Sequence, residues 1–304
     1  MIQLAIRPTA VMVYSKKPKG IKQRTVRQES LDNLQGKYGG KGMSDSVRAK
    51  IKRIIANWNV AVHASQRIWQ HGQGVKRRYF VMMTLTLPSR QIESDEEVKR
   101  LYLNNWLRKL HYNYPNMNYL WAAETQANGN IHFHVIGDHW IDKRWVQQTW
   151  NETLENGQYI DLFAAKFGHR NPPSTKVTGQ KSMKDPALYI TKYISKEEGR
   201  RYVEGHCWYC CDALKSIACV GLPQGDVIEN ELLKLFAAEV KQAYCGSHSK
   251  AYYFNEPLCR NGVLDFIFDN FPSMVCRCFM GFYSELQLDS EGDLPLEISP
   301  MWLD

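Results

Sequence analysis

The chain contains no cysteine before Cys207, although it has 304 residues and eight cysteines in all. A secreted scaffold held together by disulfide bonds would be short and cross-linked throughout, so we expect a reducing, cytoplasmic environment. No run of about 18 apolar residues occurs, so no transmembrane helix is expected. Residues 1–17 carry Arg7 inside an apolar stretch and offer no cleavage site, so we also expect no secretory signal.

A phosphate-binding loop is absent as well. The glycines between residues 36 and 42 are not followed by Gly-Lys-Ser or Gly-Lys-Thr at the required spacing, and no such loop occurs elsewhere. We therefore expect no ATP-driven motor within this chain. Hydrophobic residues make up 44% and charged residues 23% of the sequence, ordinary globular values that exclude wholesale disorder.

Positive and negative charges are distributed unevenly. Residues 1–78 contain 17 Lys and Arg against 3 Asp and Glu, residues 79–200 contain 15 against 13, and residues 201–304 contain 7 against 15. A basic beginning and an acidic end result. The basic beginning favours nucleic acid as a partner over a merely solvated surface or an attraction between the two ends of the chain.

The N-terminal part is predicted to hold two segments. Residues 1–43 are basic and interrupted by glycines, which predicts an extended or loosely ordered arm. Residues 44–74 are predicted to be a basic amphipathic helix, capped by Ser44 or Ser46, whose apolar stripe faces the core. Basic side chains lying mostly off that stripe or just after the helix are candidate DNA-binding residues: Arg48, Lys50, Lys52, Arg53, Lys76, Arg77 and Arg78.

Residues 75–200 are predicted to form an α+β domain with a central antiparallel sheet and flanking helices. The predicted elements are a strand at Tyr79–Leu87, a helix with a capping box of Ser94 and Glu97, strands at Tyr119–Thr125 and Ile131–Ile136 joined through Asn128-Gly129, and helices from about Asp142 to Leu154 and from about Asp185 to Glu198.

The hairpin carries a candidate metal site. His132 and His134 project from one face of their strand because side chains alternate. A three-residue loop, Ala127-Asn128-Gly129, pairs Glu124 with His132 and brings the carboxylate to that face, and Gly129 suits the left-handed position of such a loop. Two imidazoles and one carboxylate fit Mg²⁺ or Mn²⁺, with Zn²⁺ as an alternative. Gln126 shares the face and is a candidate additional ligand.

A second constellation lies on the helix predicted after Asp185. Tyr189, Lys192, Tyr193 and Lys196 occupy positions i, i+3, i+4 and i+7 and therefore share one helix face. Alternating phenol and ammonium groups pack poorly as a core but suit attack on a phosphate, because a nearby cation lowers the cost of ionising the phenol. The alternative is a structural stripe of amphipathic tyrosines with snorkelling lysines.

Together, the strand Met83–Pro88, the His-hydrophobe-His strand with its upstream glutamate, and the Tyr-x-x-Lys-Tyr-x-x-Lys helix resemble the HUH endonucleases. The likeness is specifically to the two-tyrosine rolling-circle replication initiators of small single-stranded DNA phages and related plasmids. It covers roughly residues 44–200, because the basic helix after Ser44 is also similar. Residues 201–304 match nothing in that family.

The resemblance implies an HUH nuclease-like fold, with the histidines on a middle strand and the tyrosine helix across the sheet. Glu124, His132 and His134 would hold the metal, and Tyr189 and Tyr193 would be nucleophiles, with Tyr193 favoured for the first cut. The implied activity is nicking and rejoining of single-stranded origin DNA in a bacterial host cell, with a helicase and polymerase supplied by the host.

Three alternatives use the same residues differently. A transposase or conjugative relaxase would share the site, although relaxases usually carry a third histidine in place of the glutamate. A non-catalytic DNA-binding protein would need neither the tyrosines nor Glu124. A metal-dependent hydrolase would form no covalent adduct with DNA.

The C-terminal region, residues 201–304, is acidic and contains all the cysteines. Cys207 and Cys210 with Cys276 and Cys278 form a candidate zinc site, but the spacing of the second pair and the long separation favour reduced cysteines in a small core.

Overall fold

The computed structural model describes residues 2–7, 9–15, 45–70, 78–179, 201, 203–215, 220–223, 225–247, 249–256, 258 and 261–271. The described chain is α+β, as expected, with two five-stranded antiparallel sheets flanked by helices. One sheet contains the histidine strand, and the other is built from both ends of the described chain. Among the described helices, none is both long and apolar enough to cross a bilayer.

The histidine sheet has the strand order β6-β3-β5-β4-β7. Its strands are β3 (Val81–Thr86), β4 (Tyr119–Thr125), β5 (Ile131–Gly137), β6 (Thr175–Gly179) and β7 (Trp208–Cys210). The strand β5 is therefore central, as the resemblance implies. The sheet also extends beyond the segment 75–200, because β7 comes from the C-terminal region.

The hairpin between β4 and β5 has the predicted register. Glu124 is paired with His132 and Thr125 with Ile131. The amide of Gln126 donates to the carbonyl of Asn130 at 2.8 Å, which closes the turn. Gly129 has φ +88°, the left-handed conformation that favours glycine at this position.

One face of the histidine sheet is covered by helices that follow the predicted pattern. A helix begins at the Ser94–Glu97 capping box and runs as α2 (Asp95–Val98), a π-helical turn (Lys99–Leu103) and α3 (Asn104–Asn113). It is followed by α4 (Lys143–Glu155), capped by Asp142, and by α5 (Tyr159–Phe167), which the sequence analysis did not predict. Aromatic side chains fill this core, with Trp106, Trp150 and Phe133 fully buried.

The opposite face is covered at one end by the helix α1 (Asp45–Gln70). Its residues Ile51, Ile55 and Trp58 are buried against an apolar patch of the sheet formed by Met82, Leu120, Ala122 and Ile136. The predicted helix with its apolar stripe is confirmed, and it packs on the same face that carries the histidines.

The first 15 residues differ from the loosely ordered arm that we expected. They form β1 (Ile2–Arg7) and β2 (Ala10–Ser15), paired as a hairpin. The two apolar runs on either side of Pro8-Thr9 carry a hairpin signal that the strong positive charge of the following residues hid. Burial of Leu4, Ile6, Val11 and Val13 stabilises the strands.

This second, N-terminal sheet has the order β8-β1-β2-β10-β9. Its other strands are β8 (Val220–Pro223), β9 (Val240–Cys245) and β10 (Ser249–Phe254), and the region also contains the helices α6 (Asp212–Lys215), α7 (Gly225–Phe236) and α8 (Val263–Asn270). One face packs on α7, α8 and the residues Val60, Ala61 and Ala64 of α1. The helix α1 therefore joins both cores, and the division of the chain into four segments stays a prediction.

Candidate metal and DNA site

Three potential metal ligands converge at the turn end of the central hairpin. Oε1 of Glu124 lies 2.6 Å from Nε2 of His132 and 3.0 Å from Nε2 of His134. One ligand atom of each residue lies within 4.8 Å of those of the other two, and this is the group of that kind within the described part of the chain. The convergence of one carboxylate oxygen and two imidazole nitrogens fits a divalent cation.

The ring of His134 is held from behind by a neighbouring strand. Oγ1 of Thr84 on β3 lies 3.3 Å from Nδ1 of His134. A hydrogen bond at Nδ1 leaves the Nε2 lone pair for a metal, which is the usual arrangement behind a ligating histidine. Thr84 is therefore a positioning residue that the sequence analysis missed, although it lies within the Met83–Pro88 strand.

The charge on Glu124 is favoured by the same two rings. Burial on its own raises the pKa of this carboxyl, but hydrogen bonds and charge from His132 and His134 outweigh that effect and lower the pKa to about 2. Glu124 is therefore ionised at neutral pH. An ionised carboxylate between two imidazoles attracts a cation without first having to lose a proton.

A basic residue missed from the sequence lies on the same face. Lys176 of β6 is paired with Thr84, which is in turn paired with His134, so the three side chains form one row across the sheet. Two strand spacings separate Lys176 from His134, about 10 Å between backbones, a gap that a lysine side chain partly spans. The side chain of Lys176 is exposed. No local pattern marked this lysine, because only the register brings it to the histidines.

The site face changes character along the strands. Where α1 covers it, the side chains are apolar. Towards the hairpin turn the same face carries Thr84, Thr86, Glu124, His132 and His134. Because α1 packs on the apolar end, the polar end with the three ligands is left to other parts of the chain or to a ligand.

The hairpin turn is fastened by Arg201. Its guanidinium donates to the carbonyl of Gly129 at 3.0 Å, and its own carbonyl accepts from Oγ1 of Thr125 at 2.8 Å. Thr125 is the neighbour of Glu124 in the sequence. The backbone at residue 201 is therefore fixed beside the ligand-bearing strand.

The predicted nucleophile segment lies outside the described residues. Tyr189, Lys192, Tyr193 and Lys196 fall between Gly179, at the end of β6, and Arg201. Both flanking points belong to or contact the histidine sheet. Tyr193 precedes Arg201 by eight positions, and eight residues span at most about 28 Å as an extended chain and about 12 Å as a helix. Chain connectivity therefore limits how far Tyr193 can lie from the ligand-bearing strand.

The candidate DNA-binding residues divide into three groups. Lys50, Lys52 and Arg53 are exposed on α1, and Arg48 is half-buried. The ammonium of Lys50 lies 5.8 Å from the ring centre of Trp208. Lys76 and Arg77 lie outside the described residues, and the assignment of the helix residues to DNA stays a prediction.

The assignment of Arg78 to DNA binding is wrong. Its side chain is only 2% exposed, its guanidinium lies 3.6 Å from a carboxylate oxygen of Asp138, and it donates to the carbonyl of Asn116 at 2.7 Å. Arg78 is the last of three consecutive basic residues, and the chain enters the sheet directly after it. Nothing in that run of charges marks the change from surface to core.

The candidate additional ligand Gln126 is half-buried at the turn, where its backbone closes the hairpin; its role as a ligand stays a prediction. Of the candidate zinc residues, Cys210 is fully buried in the core under α1, and Cys207 is half-buried with its carbonyl accepting from the amide of Ala123. Burial raises the pKa of the Cys207 thiol, which favours the reduced, protonated form. Cys276 and Cys278 lie outside the described residues.

The fold and the site together define an α+β protein with a candidate divalent-metal centre on the central strand of an antiparallel sheet. Residues 80–198 match a family model described as a replication-associated protein of the ORF2 type. The matched segment contains the three metal-ligand candidates and both predicted nucleophiles, and the match supports a role in DNA replication. No curated protein and no solved structure gave a significant match.

Proposed function

We propose that this chain is a rolling-circle DNA replication initiator of the HUH endonuclease type. It would nick and rejoin single-stranded origin DNA through a 5′-phosphotyrosine intermediate. The observation that carries the proposal is the convergence of Glu124, His132 and His134 on a central strand within a segment that matches a replication-associated family.

Glu124, His132 and His134 would hold the cation, which we propose to be Mg²⁺ or Mn²⁺. When bound there, it supplies Lewis-acid polarisation of a phosphate oxygen. Thr84 would keep His134 in the tautomer and orientation needed for binding, and Lys176 would pair with a phosphate of the strand lying across the sheet.

Tyr193 would act as the first nucleophile. Its phenol oxygen attacks phosphorus, the bond from phosphorus to the 3′ oxygen breaks, and the 3′ oxygen takes up a proton to become a free hydroxyl. The 5′ phosphate is then linked to the tyrosine, so the bond energy is kept for rejoining. Tyr189, four positions away, would accept the new junction when the first strand is released.

Lys192 and Lys196 would stabilise negative charge on the phenolate or the phosphate. The exposed Lys50, Lys52 and Arg53 on α1 would add contacts to phosphates without sequence preference. The sequence has no nucleotide-binding loop, so strand separation and synthesis would come from a host helicase and a host polymerase.

The test is a nicking assay on single-stranded origin DNA with Mn²⁺, followed by denaturing electrophoresis to detect a covalent protein–DNA adduct. The wild-type chain should form the adduct, Glu124→Gln should abolish it, and the double variant Tyr189→Phe/Tyr193→Phe should abolish it while retaining metal binding. Tyr112→Phe is the matched control, since Tyr112 is 86% exposed on the opposite side of the sheet.

Cleavage without an adduct would identify a metal-dependent hydrolase instead. An adduct that persists in the double tyrosine variant would overturn the nucleophile assignment. DNA binding without any cleavage would leave a non-catalytic DNA-binding protein.

A further inference from the structure

We propose that the N-terminal sheet carries a second binding surface for single-stranded DNA, formed by the outward-facing tyrosines Tyr244 and Tyr253 with the cations Arg7 and Lys241. The inference rests on the proposed function for the identity of the nucleic acid. It assigns a role to a sheet that lies wholly outside the segment matching the replication-associated family.

The orientation of the two tyrosines follows from the register. Tyr252 is buried in the core beside Val11, so the next residue on β10, Tyr253, points to the opposite face. Tyr244 on β9 is paired with Ala251, which shares that outward face with Tyr253. The residues are 59% and 43% exposed for Tyr244 and Tyr253, respectively.

The two rings are placed for neighbouring bases. Tyr253 is paired with Gln242, two positions from Tyr244 on the adjacent strand. Residues in this diagonal relationship are about 7–8 Å apart and face the same side. Sheets that present aromatic side chains in this way stack successive unpaired bases, and each stacked base contributes to affinity without regard to its sequence.

The charge of the sheet complements a phosphate backbone. The five strands contain no Asp or Glu, but they contain Arg7, Lys241 and Lys250. Arg7 is exposed and lies in one cross-strand row with Ala10, Tyr253 and Gln242. A surface that combines aromatic rings with cations and has no carboxylates on its strands fits a polyanion with exposed bases better than a protein partner.

A bulge places a further cation next to this row. The register between β9 and β10 shifts at Tyr253/Phe254, where Val240 and Gln242 oppose consecutive residues of β10. The inserted residue is Lys241, which is exposed. Bulges of this kind redirect side chains at sheet edges, and here the lysine lies beside the residue opposite Tyr253.

The experiment measures binding of the full chain to a fluorescein-labelled oligothymidylate by fluorescence anisotropy. Tyr244→Ala and Tyr253→Ala should each weaken binding by at least about fivefold, whereas Tyr244→Phe and Tyr253→Phe, which retain the ring, should bind as the wild type does. Arg7→Gln should reduce the dependence of log affinity on log salt by about 0.7. Tyr112→Ala, an equally exposed tyrosine near the other sheet, is the matched control.

Photo-cross-linking provides a measurement that does not depend on variants. With 5-iodouracil in the oligonucleotide, the wild-type chain should give cross-linked peptides from residues 240–254. Cross-links that never include this segment would overturn the proposal. So would alanine variants that bind the oligonucleotide within twofold of the wild type, or variants that only abolish self-association.

The two proposals fail in different ways. A chain that binds oligothymidylate through Tyr244 and Tyr253 but cleaves no origin DNA contradicts the proposed nicking activity and supports this surface. A chain that nicks normally but binds equally well without the two rings contradicts this surface alone.

Discussion

Arg201 donates hydrogen bonds to both carboxylate oxygens of Asp95, at 2.5 and 2.7 Å. Asp95 is 1% exposed at the start of α2, and the amide of Glu204 donates to the same carboxylate at 3.0 Å. Since Arg201 also holds Gly129, this one contact connects the first helix after β3, the hairpin turn and the chain that follows the predicted tyrosine segment. The geometry of the metal-ligand strand therefore depends on a residue far from it in sequence.

Replacing Arg201 by Met should destabilise the protein by about 3 kcal/mol, because a buried carboxylate loses its charged partner. The free energy of unfolding from denaturant titration measures the effect. Arg201→Lys should recover only part of it, since an ammonium cannot make the bidentate contact. An unchanged free energy of unfolding in Arg201→Met would show that the contact is not formed.

The loss in Arg201→Met should also depend on pH. Burial on its own raises the pKa of Asp95, but the hydrogen bonds from Arg201, Gln91 and the Glu204 amide, with the charge of Arg201, outweigh it and lower the pKa. A carboxyl with a lowered folded pKa contributes stability that is present above its unfolded pKa of about 4 and is lost as pH falls through the folded value. The difference between the wild type and Arg201→Met should thus be full at pH 7 and shrink below about pH 4.

Thr84→Val should weaken metal binding by about 10- to 100-fold without changing the three ligands, because His134 loses the partner that orients its ring. Isothermal titration with Mn²⁺ gives the affinity directly. Thr84→Ser keeps the hydroxyl and is the matched control. Equal affinities for Thr84→Val and the wild type would mean that the ring is oriented without Thr84.

Lys176→Gln should weaken binding of single-stranded DNA and reduce the slope of log affinity against log salt by about 0.7, the value for one phosphate contact. Its metal affinity should be unchanged, since Lys176 lies two strands from His134. Lys166→Gln is the control, because Lys166 is exposed on α5 on the other side of the sheet. Equal salt slopes for the two variants would remove Lys176 from the DNA surface.

Local patterns predicted the parts of the site that lie close together in sequence. The hairpin at Asn128-Gly129 determines the pairing of Glu124 with His132, so both alternation and turn chemistry were sufficient there. Thr84 and Lys176 reach the same row only through strand pairing across about 90 residues, and no local pattern specifies that order. The N-terminal sheet was missed for the same reason, since β1 and β2 pair with strands from the far end of the chain.

Arg78 and Lys52 provide a final contrast between two basic residues that the sequence placed in one class. Arg78 is buried against Asp138, whereas Lys52 is exposed on α1. Arg78→Gln should therefore lower the free energy of unfolding by about 3–5 kcal/mol, because Asp138 is left as an uncompensated buried charge. Lys52→Gln should leave stability within about 0.5 kcal/mol of the wild type and reduce only the salt-dependent part of DNA binding. Thermal unfolding and anisotropy on the same two variants separate the roles, and a stable Arg78→Gln variant with weakened DNA binding would return Arg78 to the DNA surface.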